Sequence, residues 1–153
     1  ILTDADLKTL AIALGIKLNG VFMKDEITKS KLKDGGFVIN LQNHNQNGSH
    51  WTTFFKKGKQ IWYCDSFGLP APQNEIDAFF QDHDKVHTND VQIQHVDSQC
   101  CGYFSIAFLH MMTHAKGTYG NRMNKYVRLF YHTPNELRLN DALVKKYISN
   151  NIK

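Results

Sequence analysis

The sequence predicts an α+β fold: a small, mainly antiparallel sheet flanked in sequence by helices. Three observations predict it. Strand-like apolar runs gather in the middle of the chain, two of them joined by the tight turn Lys57-Gly58-Lys59. Helical apolar spacing dominates both ends. A length of 153 residues with 42% hydrophobic content suits one domain spanning 1–153 and leaves little room for a second.

The elements follow in order. Thr3 or Asp4 can cap a helix through about Leu14, with Leu7, Leu10, Ala11 and Leu14 on one face and Gly15 ending it. Residues 21–23 are a short apolar stretch, and residues 24–34 read as irregular or weakly helical. Gly35-Gly36 precedes a buried strand over 37–40. Residues 43–49 hold only Asn, Gln, Gly, His and Ser, which is loop chemistry. Strands follow over 51–55 and 60–64, with Phe54, Phe55 and Trp62 as covered sheet residues, and then a loop over 65–72. Asn74 can cap a short helix bearing Ile76, Phe79 and Phe80. Residues 91–94 alternate like a strand, and Asp97 or Ser98 is expected to open an apolar helix through about His114. Gly117 and Gly120 break the chain, and residues 122–131 read as helix. Thr133-Pro134-Asn135-Glu136 has the form of a capping box, and Asn140 can cap a last helix carrying Leu143, Val144, Tyr147 and Ile148.

Composition narrows the function classes. No apolar run reaches the roughly 18 residues of a membrane span, and the start lacks a signal-peptide pattern. Three cysteines make a poor disulfide framework, so a reducing intracellular setting is expected. The net charge is +4, with basic groups at Lys29, Lys31 and Lys33, at Lys56, Lys57 and Lys59, and at Lys116, Arg122, Lys125 and Arg128. This permits weak contact with nucleic acid, though an ordinary solvated face accounts for it better. His110 and His114, and His83 and His87, stand four apart, but neither pair has the glutamate of a zinc-protease motif, so no metal is expected. His44 and His132 read as surface residues.

Three short stretches stand apart from packing. They are Gly48-Ser49-His50-Trp51, Tyr63-Cys64-Asp65-Ser66-Phe67-Gly68 and the run from Gln94 to Phe104 holding Cys101-Gly102. A thiol is a weak nucleophile when protonated, with a free pKa of about 8.5. A helix N-terminus and a neighbouring imidazolium both favour the thiolate. Cys101 at a helix start, His50 where a loop enters a strand and Asp65 where a strand ends fit a nucleophile, its base and the group that orients the base. Gln94 can offer an amide to a tetrahedral oxyanion, with Gln99 a weaker candidate. Gly102 lets a substrate carbonyl approach the backbone. Asp97 competes for the acid role but better suits a helix cap. Cys64 and Cys100 read as buried small hydrophobes.

This ordered set, with Gly20-Val21-Phe22-Met23-Lys24-Asp25-Glu26, resembles the adenain-like cysteine proteases related to the SUMO-deconjugating enzymes. It is most similar to the maturation proteases of virophages and Polinton-type elements. The matched stretches span residues 20 to about 112. The resemblance implies a Cys-His-Asp/Glu triad on an α+β fold with histidine before cysteine. Its His falls on His50, its acid on Asp65, its oxyanion Gln on Gln94 and its nucleophile on Cys101. The seven-residue step from Gln94 to Cys101 resembles the adenovirus spacing; SUMO proteases more often show six, a position filled here by His95. Trp51 is expected to help form a narrow channel selecting small residues, often Gly-Gly, before the scissile bond. The adenovirus enzyme is stimulated by DNA and a viral peptide. No residue for either activator maps onto this chain, and no cofactor is expected to be required.

The expected activity is therefore thiol-dependent cleavage of capsid or core precursor polypeptides during virion maturation, inside the host cell at the assembly site and in the virion. A deconjugase of ubiquitin-like modifiers is one rival. An acetyltransferase is another, though no coenzyme A pocket is visible. From a different class comes a non-catalytic basic module that binds nucleic acid.

Overall fold

The computed structural model describes residues 1–27, 32–42, 50–71 and 85–153. Helix α1 (Asp4–Ala13) starts where the sequence predicts: Thr3 Oγ1 accepts from the Asp6 N–H at 3.1 Å and the Asp6 carboxylate accepts from the Thr3 N–H at 3.0 Å, a reciprocal cap. Leu7, Ala11 and Leu14 are its buried face.

Among the described residues five strands follow: β1 (Leu18–Met23), β2 (Gly35–Asn40), β3 (Trp51–Lys57), β4 (Gln60–Cys64) and β5 (Lys85–Thr88). They form one sheet in the order β1-β2-β3-β4-β5. The two central pairs are antiparallel, and the outer pairs, β1 with β2 and β4 with β5, are parallel. The β3–β4 hairpin turns at Gly58, whose φ of +58° suits a residue without a side chain.

Period-two alternation divides the sheet into two faces. On one, Phe37, Ile39, Phe54, Ile61 and Tyr63 form a small apolar layer. Phe37 and Phe54, paired across β2 and β3, stack at 4.7 Å. On the other, Val38, Trp51, Phe55, Trp62 and Cys64 meet the helices. These are α2 (Cys101–His114), α3 (Tyr119–Arg128) and α4 (Asn140–Asn151). Helix α2 lies against β2 and β3 and is buried on almost every side, as a central helix must be. The α+β class stands, and among the described residues no helix is long and apolar enough to cross a membrane.

Several expectations change. Residues 91–94 form no strand; β5 lies at Lys85–Thr88 instead. The reason is local: the main-chain N–H groups of Ile93 and Gln94 both donate to the Ser66 carbonyl at 2.9 Å, a turn-like pattern no ladder contains. Helix α2 opens at Cys101, three residues later than Ser98. Asp97 does not cap it but faces Arg138 at 3.4 Å, while Ser98 Oγ accepts from the Cys100 N–H at 3.1 Å. Gly120 sits inside α3, which Thr118 caps. The Thr133 hydroxyl donates to Glu136 at 2.6 Å rather than accepting from the backbone. Asn140 ties Ile93, Tyr131 and the start of α4 together instead of capping. The 43–49 loop, the 74–80 helix, Lys29, Lys31, His44 and His83 lie outside the described residues.

Candidate active site

The sheet brings distant stretches to one edge. His50 precedes β3, Asp65 follows β4, and Cys101 begins α2, which packs on β3 and β2. Strand ends and a buried helix start hold side chains firmly because their main chains are fixed by the ladder and the core.

His50 Nε2 donates to Asp65 Oδ1 at 3.0 Å. The same ring hydrogen-bonds the Cys101 side chain. With Nε2 turned to the carboxylate, Nδ1 is the nitrogen left for sulfur. Cys101 Sγ also accepts from the Trp51 N–H at 3.4 Å. Phe67 stacks on the imidazole at 4.7 Å and fixes its plane. His50 keeps 17% of its side chain exposed and Asp65 1%, so the imidazole is reachable while the carboxylate is not. Burial is the largest influence on His50 and acts to lower its pKa. The bonds to Asp65 and then Cys101, with their charges, outweigh it, and the ring is raised to about 9.

Asp65 is held by its own turn. Oδ1 accepts from the Phe67 N–H at 2.8 Å, and the Gly68 N–H closes the turn on the Asp65 carbonyl at 2.8 Å. Gly68 has φ +78°, and a Cβ there would stand 2.7 Å from the Gln92 nitrogen, so only glycine fits. Sequence reasoning missed Asn89. Its side chain accepts from the Asp65 N–H at 3.3 Å and donates to the Asp65 carbonyl at 3.0 Å, completing the clamp on this residue's main chain. An Asn just after an unforeseen strand carried no signal a sequence could show.

Gln94 and Gly102 have the following surroundings. Gln94 is fully buried; its Oε1 accepts from the Ser66 hydroxyl, and its Nε2 donates to the carbonyl and hydroxyl oxygens of Ser98 at 3.0 and 3.2 Å. Its amide braces the loop before Cys101 and is not presented to it as a free oxyanion donor. The place of a Cβ on Gly102 is taken by Leu2 and Leu7 at 3.0–3.2 Å, so its smallness lets the N-terminal segment and α1 pack closely there. Trp51 is 7% exposed, its indole N–H donating to the Leu2 carbonyl at 2.8 Å.

The remaining candidates have structural partners. Burial pushes the thiols of Cys64 and Cys100 up, with the charges of Asp65 and Asp141 adding to it. His110 bonds the Tyr147 hydroxyl at 2.7 Å and His114 the Gly15 carbonyl at 3.0 Å. Lys56 pairs with Asp34 at 2.9 Å, and Arg122 donates to the Met112 carbonyl at 2.6 Å, so parts of two basic groups serve the fold.

Such a site can ionise a thiol against a charged imidazole and pass a proton between sulfur, leaving group and water. No protein-family model and no curated protein matches the chain. Among solved structures, the crystal structure of Se-Met ASFV pS273R protease is similar over 78% of this chain, with 18% identity and a TM-score of 0.43. The chain spans 44% of that protease's length.

Proposed function

We propose that this chain is a cysteine endopeptidase. The observation that carries the reading is the hydrogen-bonded line Cys101–His50–Asp65, built from three separate stretches of sequence and closed by the 3.0 Å bond between Nε2 and Oδ1. The Cys101 thiolate attacks a peptide carbonyl carbon, and the carbonyl electrons move to oxygen. The N–H groups of a helix's first turn have no intrahelical partners, so those opening α2 are placed to take the oxyanion. His50 gives its proton to the leaving nitrogen as the C–N bond breaks. It then takes a proton from water, whose oxygen attacks the thioester, and the acid product leaves with the thiol restored.

The motifs that resemble the adenain-like enzymes support a finer reading: cleavage of capsid or core precursors after small residues, at the assembly site inside a host cell and in the virion. Protein substrates are then the partners, and no cofactor takes part in the steps.

The test compares the protein with Cys101→Ala on Gly-Gly-containing peptides and on virion precursor polypeptides. Cleavage by the first and none by the second is expected. Equal behaviour of the two ends the reading.

A further inference from the structure

Asn40, the last residue of β2, carries a buried donor with no acceptor among the described residues. The residue is 0% exposed. Its Oδ1 accepts from the Gln42 N–H at 2.9 Å, while its Nδ2 has no hydrogen-bond partner among the described residues. A buried N–H without an acceptor costs folding free energy, and native proteins keep few of them. Such a group is explained when a ligand supplies the missing acceptor.

The surroundings say where that ligand lies. Asn40 is the cross-strand partner of Trp51, and residues so paired stand about 4.5–5.5 Å apart at Cα. Both line a cavity of about 480 Å³ whose walls include Leu2, Phe22, Met23 and Glu26. The Trp51 N–H in turn touches the Cys101 sulfur. Trp51 is thus shared between the cavity wall and the hydrogen bond to the sulfur, which sets the cavity next to the residue that touches Cys101. The volume exceeds one side chain and suits an extended stretch of two or three residues. The wall is largely apolar, and its two charged side chains, Asp4 and Glu26, are both acidic.

We infer that this cavity holds the substrate's main chain beside the scissile bond and that Asn40 Nδ2 donates to one of its carbonyl oxygens. Asn40 is thus a substrate-binding residue, and the acidic wall turns away substrates with Asp or Glu in that stretch. This inference rests on the endopeptidase reading of the same site and deepens it. The unpaired donor in the free protein is the counterpart of a bond made only on binding.

A degenerate peptide library, with cleavage followed by mass spectrometry, tests it. Asn40→Asp keeps an acceptor for the Gln42 N–H but removes the donor, and Asn40→Leu removes both. Both variants are expected to lose about tenfold or more in kcat/KM, mainly through KM. Peptides with acidic residues beside the cut are expected to be the poorest substrates of the unaltered protein. Iodoacetamide is too small to reach Asn40, so its rate with Cys101 stays level and reports an intact site. Unchanged kcat/KM in both variants overturns the inference and leaves the endopeptidase reading standing. No cleavage of any library member by the unaltered protein overturns both. Should the variants not fold, the side-chain amide of Asn40 in the Cys101→Ala protein is read by nitrogen-edited NMR during titration with a peptide from the library. A downfield shift of one amide proton is expected, and its absence with a bound peptide refutes the proposal.

Discussion

At the scale of single residues, the three cysteines separate by environment. Cys64 lies buried beside the Asp65 carboxylate, and both influences raise its thiol; Cys100 is raised by burial and by Asp141. Cys101 faces a histidine whose ring is raised to about 9 and so carries charge at neutral pH. Alkylation followed by peptide mapping at pH 6–7 is expected to label Cys101 well before the other two, and His50→Ala is expected to erase the preference. Uniform slow labelling would count against a charged imidazole at the sulfur. The approach of Cys101, His50 and Asp65 to one another was legible because each sits where polar residues interrupt apolar strands or helices. The partners of Gln94 and Gly102, which are Ser66, Ser98, Leu2 and Leu7, were not legible, because spacing along the chain does not reveal such contacts.

At the scale of elements, the turn after β4 matters most. Its conformation needs Gly68 at φ +78° against the backbone of Val91 and Gln92. Gly68→Ala is expected to cost about 1–3 kcal/mol of stability, read as a lower Tm, together with a loss of activity as the Asp65 carboxylate shifts. Asn89→Ala removes the clamp on the Asp65 main chain and leaves its buried N–H unpaired, while its carbonyl keeps the Gly68 N–H. A comparable loss of roughly 1–3 kcal/mol is expected, with kcat falling more than KM rises, since the orienting acid and not substrate binding is disturbed. A variant with full kcat and a lowered Tm would reduce Asn89 to a purely structural residue. The β3–β4 hairpin was readable from its turn and alternation, which are local. The 91–94 stretch was not, because its alternating pattern is overruled by two N–H groups converging on the Ser66 carbonyl, 27 and 28 positions back by residue number.

At the scale of the whole molecule, the same histidine links the site to global stability. An unfolded His titrates near pH 6.5, and His50 in the folded chain near 9. A raised folded pKa means the folded state binds the proton more tightly. The stabilisation is fully present below about pH 6.5 and fades as pH climbs through about 9. The slope for one such group is at most about 1.4 kcal/mol per pH unit. His110 and His87 act in the opposite sense. Burial, with His114 and Lys153 for the first and Lys85 for the second, lowers both, so their contribution is present above about pH 6.5 and lost on acidification. The raised thiols of Cys64 and Cys100 begin to add to the alkaline loss only as unfolded cysteine titrates, at about pH 8.5. Between about pH 6.5 and 8.5 the decline therefore belongs chiefly to His50. Thermal unfolding across that window should show a falling Tm for the unaltered protein and a nearly flat one for His50→Gln. The kcat/KM profile should lose its alkaline limb near pH 9 for the same reason, as the proton donor for the leaving group is lost. A stability slope that survives His50→Gln would place the titrating group elsewhere and detach the stability profile from the His50–Cys101 pair.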